Sequence, residues 1–527
     1  LANSQQESKK IDQTVFWLTF AIGAIFVIWG IVGTDSLSNA VNLTFDFLVG
    51  KFGWLYLLYG SITLVLTLVV GFSKFGEIRL GKPGEEPEFS TRSWIAMLFS
   101  AGMGIGLVFW GVAEPVMHYA SPPFGQGETA ESALLAMRYA FFHWGLHPWA
   151  LYALFGMMIA YFSFRRGLPQ LPSSLLYPLI GKEGVEGPIG KIFNIICSFA
   201  TLFGIATSLG LGAQQINSGL NYLFGIPNNT VTAMTIIGVV TVAFIISALT
   251  GLDKGIKYLS NINIVIGFSL LVLMVIGGPT VFIFDYFTQG IGGYLQNIFD
   301  MSFFTSPVNQ SQWPGWWTIF YWAWWATWVP FVGGFIARIS RGRTIKEFVV
   351  GVLLVPTVVS LFWFATMGGS AIWLEQFGAG GIVEAVNADT ASAFFVTLGK
   401  FPLGGLMSVL ATILISTFFV TSADSGTFVM GMLTSNGILE PSVKTKVTWG
   451  VFEGFIAAVL LLVGGLSAVQ TAAIAASFPF ILFVWFAIYA FFKALQADYV
   501  ALERGEFIGN IDKNDVNVNT DEGLEVN

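Results

Sequence analysis

Charge is scarce in this chain: only 10% of its 527 residues are Asp, Glu, Lys or Arg, against roughly 25% in an average soluble domain. So few charges cannot cover the water-facing surface of a chain this long, which excludes a soluble globular fold. Cysteine is nearly absent too, and a lone Cys197 excludes an intrachain disulfide and a multi-cysteine metal site. The three histidines, His118, His143 and His147, show no ligand spacing with a companion set, so zinc chemistry is not expected. No basic stripe runs along the sequence, which argues against a nucleic-acid partner, and the net charge of −7 collects in the carboxyl-terminal tail. Neither a nucleophile and base pair nor a phosphate loop is visible, so the chain does not read as an enzyme and implies no organic cofactor.

Apolar and aromatic residues take the place of charge. The chain is 55% hydrophobic, with 51 Phe, 18 Trp and 60 Gly. A bilayer core needs about 20 apolar residues per helical span, and runs of that length recur along the sequence. They lie near 15–33, 53–72, 93–112, 139–162, 190–224, 230–250, 259–284, 315–337, 351–374, 403–432, 447–466 and 470–492. The expectation is an all-α integral membrane protein with twelve transmembrane helices; the strict alternation of a β-barrel is missing. The polar first 14 residues precede a run with no small-residue cleavage pattern, which reads as a first span and not as a removable signal.

An even count puts both termini on one side, and the positive-inside rule says which. With the termini cytoplasmic, only Lys51, Arg138 and Lys400 of the 24 basic residues fall outside. The domains expected are a cytoplasmic segment 1–14, two spans and a cytoplasmic loop over 15–92, five helices over 93–284, and five more over 285–493. The last set includes an amphipathic connector near 338–350, and an acidic cytoplasmic tail fills 494–527.

Two spans carry helix breakers. The third holds Gly102-Met103-Gly104-Ile105-Gly106 and the eighth holds Pro330 and Gly333-Gly334. Broken helices at corresponding places in two halves of a transporter point to a midplane site between inverted repeats, whereas small residues that only permit close helix contact are the alternative.

Residues 322–328 hold four tryptophans. On a helix Trp324 and Trp328 share a face, with Trp325 beside them. Several indole faces suit a quaternary ammonium, which has no N–H to donate and is held by ring quadrupoles at about 0.5 to 2 kcal/mol per ring. An interfacial aromatic belt is the alternative, and it accounts well for Trp316 and Trp317. Trp144 and Tyr152, eight apart in the fourth span, complete the set from the opposite side. His147, just before Pro148, reads as a hydrogen-bonded residue at a kink, with a proton relay as the other reading. The tenth span contains Thr421-Ser422-Ala423-Asp424-Ser425, whose hard oxygens suit sodium opposite carbonyls freed in the third span.

Three stretches together resemble the betaine/carnitine/choline transporter family over nearly the whole chain. They are Ser100 to Leu107 (SAGMGIGL) followed by Gly111-Val112-Ala113-Glu114-Pro115, Trp322 to Arg343 (WAWWATWVPFVGGFIARISRGR), and Thr421 to Ser425 (TSADS). The resemblance implies a sodium symporter fold, with a five-plus-five inverted-repeat core in spans three to twelve, and a homotrimer in a prokaryotic plasma membrane. It implies an aromatic cage at Trp144, Tyr152, Trp324, Trp325 and Trp328, with Met103 beside the substrate. It further implies a sodium site built from Ser100, Met103, Phe418, Thr421 and Ser422. For a second sodium Thr201 and Phe331 match, but the other hydroxyl position holds Ile205, with Thr207 or Ser208 as substitutes, so one or two ions remain open. Gly106 stands where proton-coupled choline carriers have an acidic residue, and no arginine occurs between Gly255 and Asp285, where sodium-independent exchangers place one. Both points favour a small zwitterion moving with sodium as the coupling ion. Glycine betaine is the first expectation and ectoine the second, with carnitine, proline betaine and dimethylsulfoniopropionate behind them; a solute-gated channel or osmosensor is the reading from another class.

Overall fold

A computed structural model describes residues 11–102, 104–250 and 253–507, without the side chains of residues 101, 102, 247–250 and 253–258. Met103 and the tail beyond residue 507 lie outside the described residues. The described chain is all-helical apart from a single isolated β-bridge, Arg79 to Thr344. In chain order the helices are α1 (Gln13–Val32), α2 (Thr34–Phe72), α3 (Thr91–Gly102), α4 (Ile105–Ala120), α5 (Ala130–Trp144) and α6 (Leu146–Ala160). There follow α7 (Tyr177–Glu186), α8 (Pro188–Phe224), α9 (Thr230–Thr250), α10 (Asp253–Gly277), α11 (Thr280–Gln296) and α12 (Ile298–Ser302). The remainder are α13 (Phe320–Ile339), α14 (Ile345–Phe377), α15 (Ile382–Ala388), α16 (Ala393–Gly399), α17 (Gly404–Leu433) and α18 (Val443–Glu503). Among the described residues eight helical stretches are long and apolar enough to cross a bilayer, or nine if α3 and α4 count as one bent span.

Glycine sets the breaks. The α3–α4 pair bends by 60°, and Gly104 caps α4 in extended backbone. Gly145 separates α5 from α6 with φ −93° and ψ −131°; a β-carbon there would lie 2.9 Å from the Tyr294 hydroxyl. The 61-residue α18 is interrupted at Gly464 and Gly465, the latter at φ 57° and ψ −132°, a conformation open only to glycine. Each part on either side of that break is long enough to cross a bilayer.

Three expectations are corrected. The seventh apolar run does not continue to residue 284: α10 stops at Gly277, and a new helix starts after Pro279. Proline has no N–H for the preceding turn, while the apolar Thr280–Phe284 stretch hides this break from hydropathy. The expected domain boundary at 284/285 therefore falls inside α11. The eighth span is not broken, because α13 runs helically through Pro330 and Gly333-Gly334. Gly333 instead allows close contact, since a β-carbon on Gly156 would lie 2.8 Å from its carbonyl oxygen. No separate amphipathic connector occupies 338–350. There α13 ends at Ile339, and after a short turn α14 starts at Ile345, capped by Thr344 and Glu347.

That turn is short because it is clamped. Leu80 N–H donates to Arg343 O at 2.8 Å and Gly342 N–H to Leu80 O at 2.9 Å. Arg79 donates to Gly342 O at 2.8 Å, Arg341 pairs with Glu85 at 2.7 Å and Arg338 with Glu88 at 2.8 Å. Arg165, buried, binds Asp498 and donates to Gly81 O at 3.1 Å. Asp12 reaches Lys191 at 3.5 Å, and its N–H donates to Thr434 O at 3.0 Å. Segments assigned to one side by charge counting thus touch one another at one end of the bundle.

In the interior α8 packs between α17 and α18, and α13 lies against α6 and α8. Trp328 on α13 donates its indole N–H to Gly204 O on α8 at 3.2 Å. A side chain at Gly204 would strike Thr327. These close contacts place the α13 tryptophans beside the α3–α4 break.

Candidate functional site

A cavity of about 300 Å³ opens where the α3–α4 break meets α6, α10, α13 and α17. Its wall includes Trp144, Tyr152, Trp324, Trp325 and Trp328, and also Ser100, Phe418, Thr421 and Ser422. The described residues of both sets, those expected to hold substrate and those expected to hold the first sodium, therefore share one cavity, while Met103 lies outside the described residues. Phe331 lines it as well, edge-on to Trp328 with ring centres 5.1 Å apart. Thr201 does not line it: it is buried in α8, and its hydroxyl has no hydrogen-bond partner among the described residues. Of the two substitutes, Ser208 lines the cavity, while Thr207 donates to Val469 O at 3.3 Å.

The rings form a box. Trp324 and Trp325 stack with centres 4.9 Å apart and planes 14° from parallel. Trp144 stands edge-on to Trp325 at 4.8 Å and 78°, and nearly perpendicular to Trp324 at 6.2 Å. Tyr152 meets Trp325 at 6.4 Å and 78°. Three of the four indole N–H groups are spent on protein acceptors: Trp144 on Glu114, Trp325 on His143 O at 3.0 Å, and Trp328 on Gly204 O. Only the Trp324 N–H lacks a partner among the described residues. Such walls present π faces more than hydrogen bonds, which suits a cation with no N–H of its own. The box is closed on the α4 side by Gly106, where a β-carbon would overlap the Trp324 ring and lie 3.2 Å from Trp144 Cη2.

Hydroxyl oxygens line the same cavity. The Thr421 hydroxyl donates within its helix to Thr417 O at 3.0 Å and Phe418 O at 3.2 Å and accepts from the Asn263 amide at 3.5 Å. Ser422, Ser425 and Ser100 add hydroxyls to the same wall. Asp424 is not among the lining residues. Hard, neutral oxygens of this kind suit an alkali cation.

Three polar lining residues were not foreseen: Ser260, Asn263 and Ser360. Asn263 binds the Thr417 hydroxyl and so ties α10 to α17; a buried amide in an apolar span was the available signal. The histidine expectation also changes. Glu114, His118 and His143 come together in the buried interior, with ligating atoms within 4.8 Å of one another. Glu114 Oε1 is 2.6 Å from His143 Nδ1 and 3.2 Å from His118 Nε2, and the shorter spacing is that of a hydrogen bond. Its Oε2 accepts from Trp144 Nε1 at 2.7 Å and from the Tyr321 hydroxyl at 2.6 Å. His147 stacks on Trp322 at 5.2 Å and lies 3.0 Å from the Ser302 hydroxyl, as a hydrogen-bonded residue at a kink would.

Comparison with known proteins identifies the architecture. The sequence profile of the betaine/carnitine/choline family transporter (BCCT) matches residues 14–500. The glycine betaine transporter OpuD of Bacillus subtilis (strain 168) is 50% identical over 496 residues, which covers 94% of this chain and 96% of that one. A probable glycine betaine transporter of Desulfitobacterium hafniense (strain Y51) is 47% identical over 493 residues, 93% of this chain and 99% of the other. The ectoine/hydroxyectoine transporter of Virgibacillus pantothenticus is 43% identical over 472 residues, 89% and 94% respectively. The chain belongs to the betaine/carnitine/choline transporter family: it is a multi-pass membrane transporter of compatible solutes, not an enzyme.

Proposed function

We propose that the protein imports glycine betaine together with sodium across a bacterial plasma membrane, as a symporter that protects against osmotic stress. The observation that carries this reading is one cavity lined both by the aromatic rings and by hydroxyl-bearing residues. A trimethylammonium group fits the box of Trp144, Tyr152, Trp324, Trp325 and Trp328, with Met103 beside it. Sodium takes Ser100, Met103 and Phe418 through backbone carbonyls, and Thr421 and Ser422 through hydroxyls. Among the described residues no carboxylate lines the cavity, which favours a solute that brings its own negative charge. For a second ion, Ser208 is the lining hydroxyl that substitutes at the position held by Ile205, with Phe331 lining the same cavity and Thr201 outside it.

We further propose twelve spans, with both termini cytoplasmic, a five-plus-five inverted-repeat core from α3 to α18, and a trimer. Support for the count comes from the bent α3–α4 pair and from the glycine break that divides α18. One sodium moving with a neutral zwitterion carries one charge, worth about 2.3 kcal/mol per 100 mV. A tenfold sodium gradient adds about 1.4 kcal/mol, and the sum supports accumulation of several hundredfold.

Ectoine is the second reading, favoured by the Virgibacillus relative and by the ability of the same box to stack on an amidinium ring. The test is uptake of labelled glycine betaine into proteoliposomes, with and without an inward sodium gradient, competed by ectoine, carnitine and choline. Concentrative, sodium-dependent uptake that ectoine competes only weakly is the expected result. Uptake indifferent to sodium refutes the coupling, and stronger competition by ectoine reassigns the solute. If Thr421→Ala with Ser422→Ala leaves the sodium dependence unchanged, the cation site is wrongly placed.

A further inference from the structure

Glu114 is a carboxylate with four partners that does not itself reach the cavity. It is fully buried on α4 and absent from the lining, but Trp144, whose indole N–H it accepts at 2.7 Å, forms one wall of the box. Tyr321 donates to the same oxygen at 2.6 Å, and His143 and His118 address the other at 2.6 and 3.2 Å. The second nitrogen of His143 lies 2.9 Å from the Thr318 hydroxyl, so that imidazole is held at both ends. The Trp144 N–H and the Tyr321 O–H both donate to Oε2, while Oε1 faces imidazole nitrogens of His143 and His118 whose donor or acceptor role depends on the tautomer; Glu114 is taken as the ionised carboxylate.

A hydrogen bond from an N–H to a carboxylate is charge-assisted, and it polarises the donor group. In an indole the displaced electron density enters the ring, whose negative face is the surface that a quaternary ammonium touches. The same bond fixes the ring's orientation. It holds Trp144 edge-on to Trp325, the arrangement that makes two perpendicular walls. A uniformly apolar pocket of the same shape would hold a trimethylammonium group and a tert-butyl group alike. The carboxylate behind Trp144 breaks that equivalence, because only the charged group gains from a more negative ring.

We propose that Glu114 is a positioning residue that gives the cage its preference for charge. Acting through the Trp144 N–H, it favours a positively charged methylammonium group over an uncharged group of equal size. The inference rests on the cage reading of the preceding section. A merely structural Glu114 would hold α4, α5 and α13 together and would matter equally for both ligands.

The test titrates the purified full-length protein, by tryptophan fluorescence, with glycine betaine and with tert-butylacetate, its uncharged-headgroup carbon isostere. Glu114→Gln should weaken betaine binding about three- to tenfold, the size of a partial loss at one ring, and leave the isostere within about twofold. Trp144→benzothienylalanine, which keeps the bicyclic ring and exchanges the N–H for sulfur, should produce the same selective loss. The double variant should lose no more than either single one, because both cut the same connection. Equal losses for the two ligands, or no loss, in Glu114→Gln would overturn the proposal. Should Glu114→Gln fail to fold, the Trp144 replacement decides alone, and an unchanged betaine-to-isostere ratio overturns it. A wild-type protein that binds the two ligands equally refutes the cage itself. An intact preference that survives both variants refutes only the role of Glu114.

Discussion

Replacing Gly106 by alanine adds one methyl group at the point where two walls of the box converge on α4. A β-carbon there overlaps the edge of the Trp324 ring and stands 3.2 Å from Cη2 of Trp144. Neither ring is free to yield. Trp144 is tied through its N–H to Glu114, and Trp324 is stacked between Phe320 at 5.5 Å and Trp325 at 4.9 Å. Forcing a methyl into such packing costs about 1 to 3 kcal/mol. That strain is borne by the folded protein, so the melting temperature should fall, offset by the up to about 1 kcal/mol that alanine contributes as a helix former at a position inside α4 without a positive φ. The displaced rings are the proposed binding surface, so affinity should fall as well, by as much as about 5- to 150-fold. Betaine titration by calorimetry and a thermal melt on the same sample read the two effects. Gly238→Ala in α9 is the matched control, because a β-carbon there meets nothing within 4 Å and the residue does not line the cavity. Equal losses at Gly238 and Gly106, or a Gly106→Ala affinity within about 0.5 kcal/mol of wild type, would refute the reasoning.

Trp324→Ala or Trp328→Ala should weaken solute binding by about 1 kcal/mol or more. Trp316→Ala should leave binding unchanged, since that ring stacks on Phe45 at 4.0 Å and does not line the cavity; equal effects at all three positions would return the tryptophans to an interfacial belt. His147→Ala removes the bond to Ser302 and the stack on Trp322, and should lower stability by about 1 to 3 kcal/mol. Its uptake-versus-pH profile should keep its shape, and a flattened profile would instead mark a proton relay. Arg165→Met strands the buried Asp498 carboxylate and should cost about 3 to 5 kcal/mol in a thermal or denaturant melt, most of which Arg165→Met with Asp498→Leu should recover. A double variant no more stable than the single one would show that the unpaired charge is not the cause.

Sequence patterning located the box because each of its parts is costly in a membrane without a reason. Four tryptophans in seven positions, a glycine-rich stretch and a hydroxyl run each mark their own segment, and the helical repeat is enough to put Trp324 and Trp328 on one face. What the chain does not display is which segment answers which. His118 is an i,i+4 neighbour of Glu114, but its other three partners lie 29, 30 and 207 residues away in His143, Trp144 and Tyr321, and no local spacing encodes that meeting. The same limit explains the misplaced breaks. Pro330 and Gly333 look like interruptions when α13 is read alone, but α6 supplies Gly156 opposite Gly333, so the residues serve close approach and the helix continues. Conversely, a helix ends at Gly277 and another starts after Pro279, within a stretch that contains no charged residue to mark the break. A membrane interior amplifies this asymmetry: a buried polar group must find a partner there, so the sequence shows that Glu114 needs donors while only the fold shows that one donor is a wall of the substrate box. On the proposed role of Glu114, substrate preference is set partly by a residue that does not line the cavity. Relatives that share the tryptophans but differ in the buried acceptors behind them should differ in how strongly they require a charged headgroup.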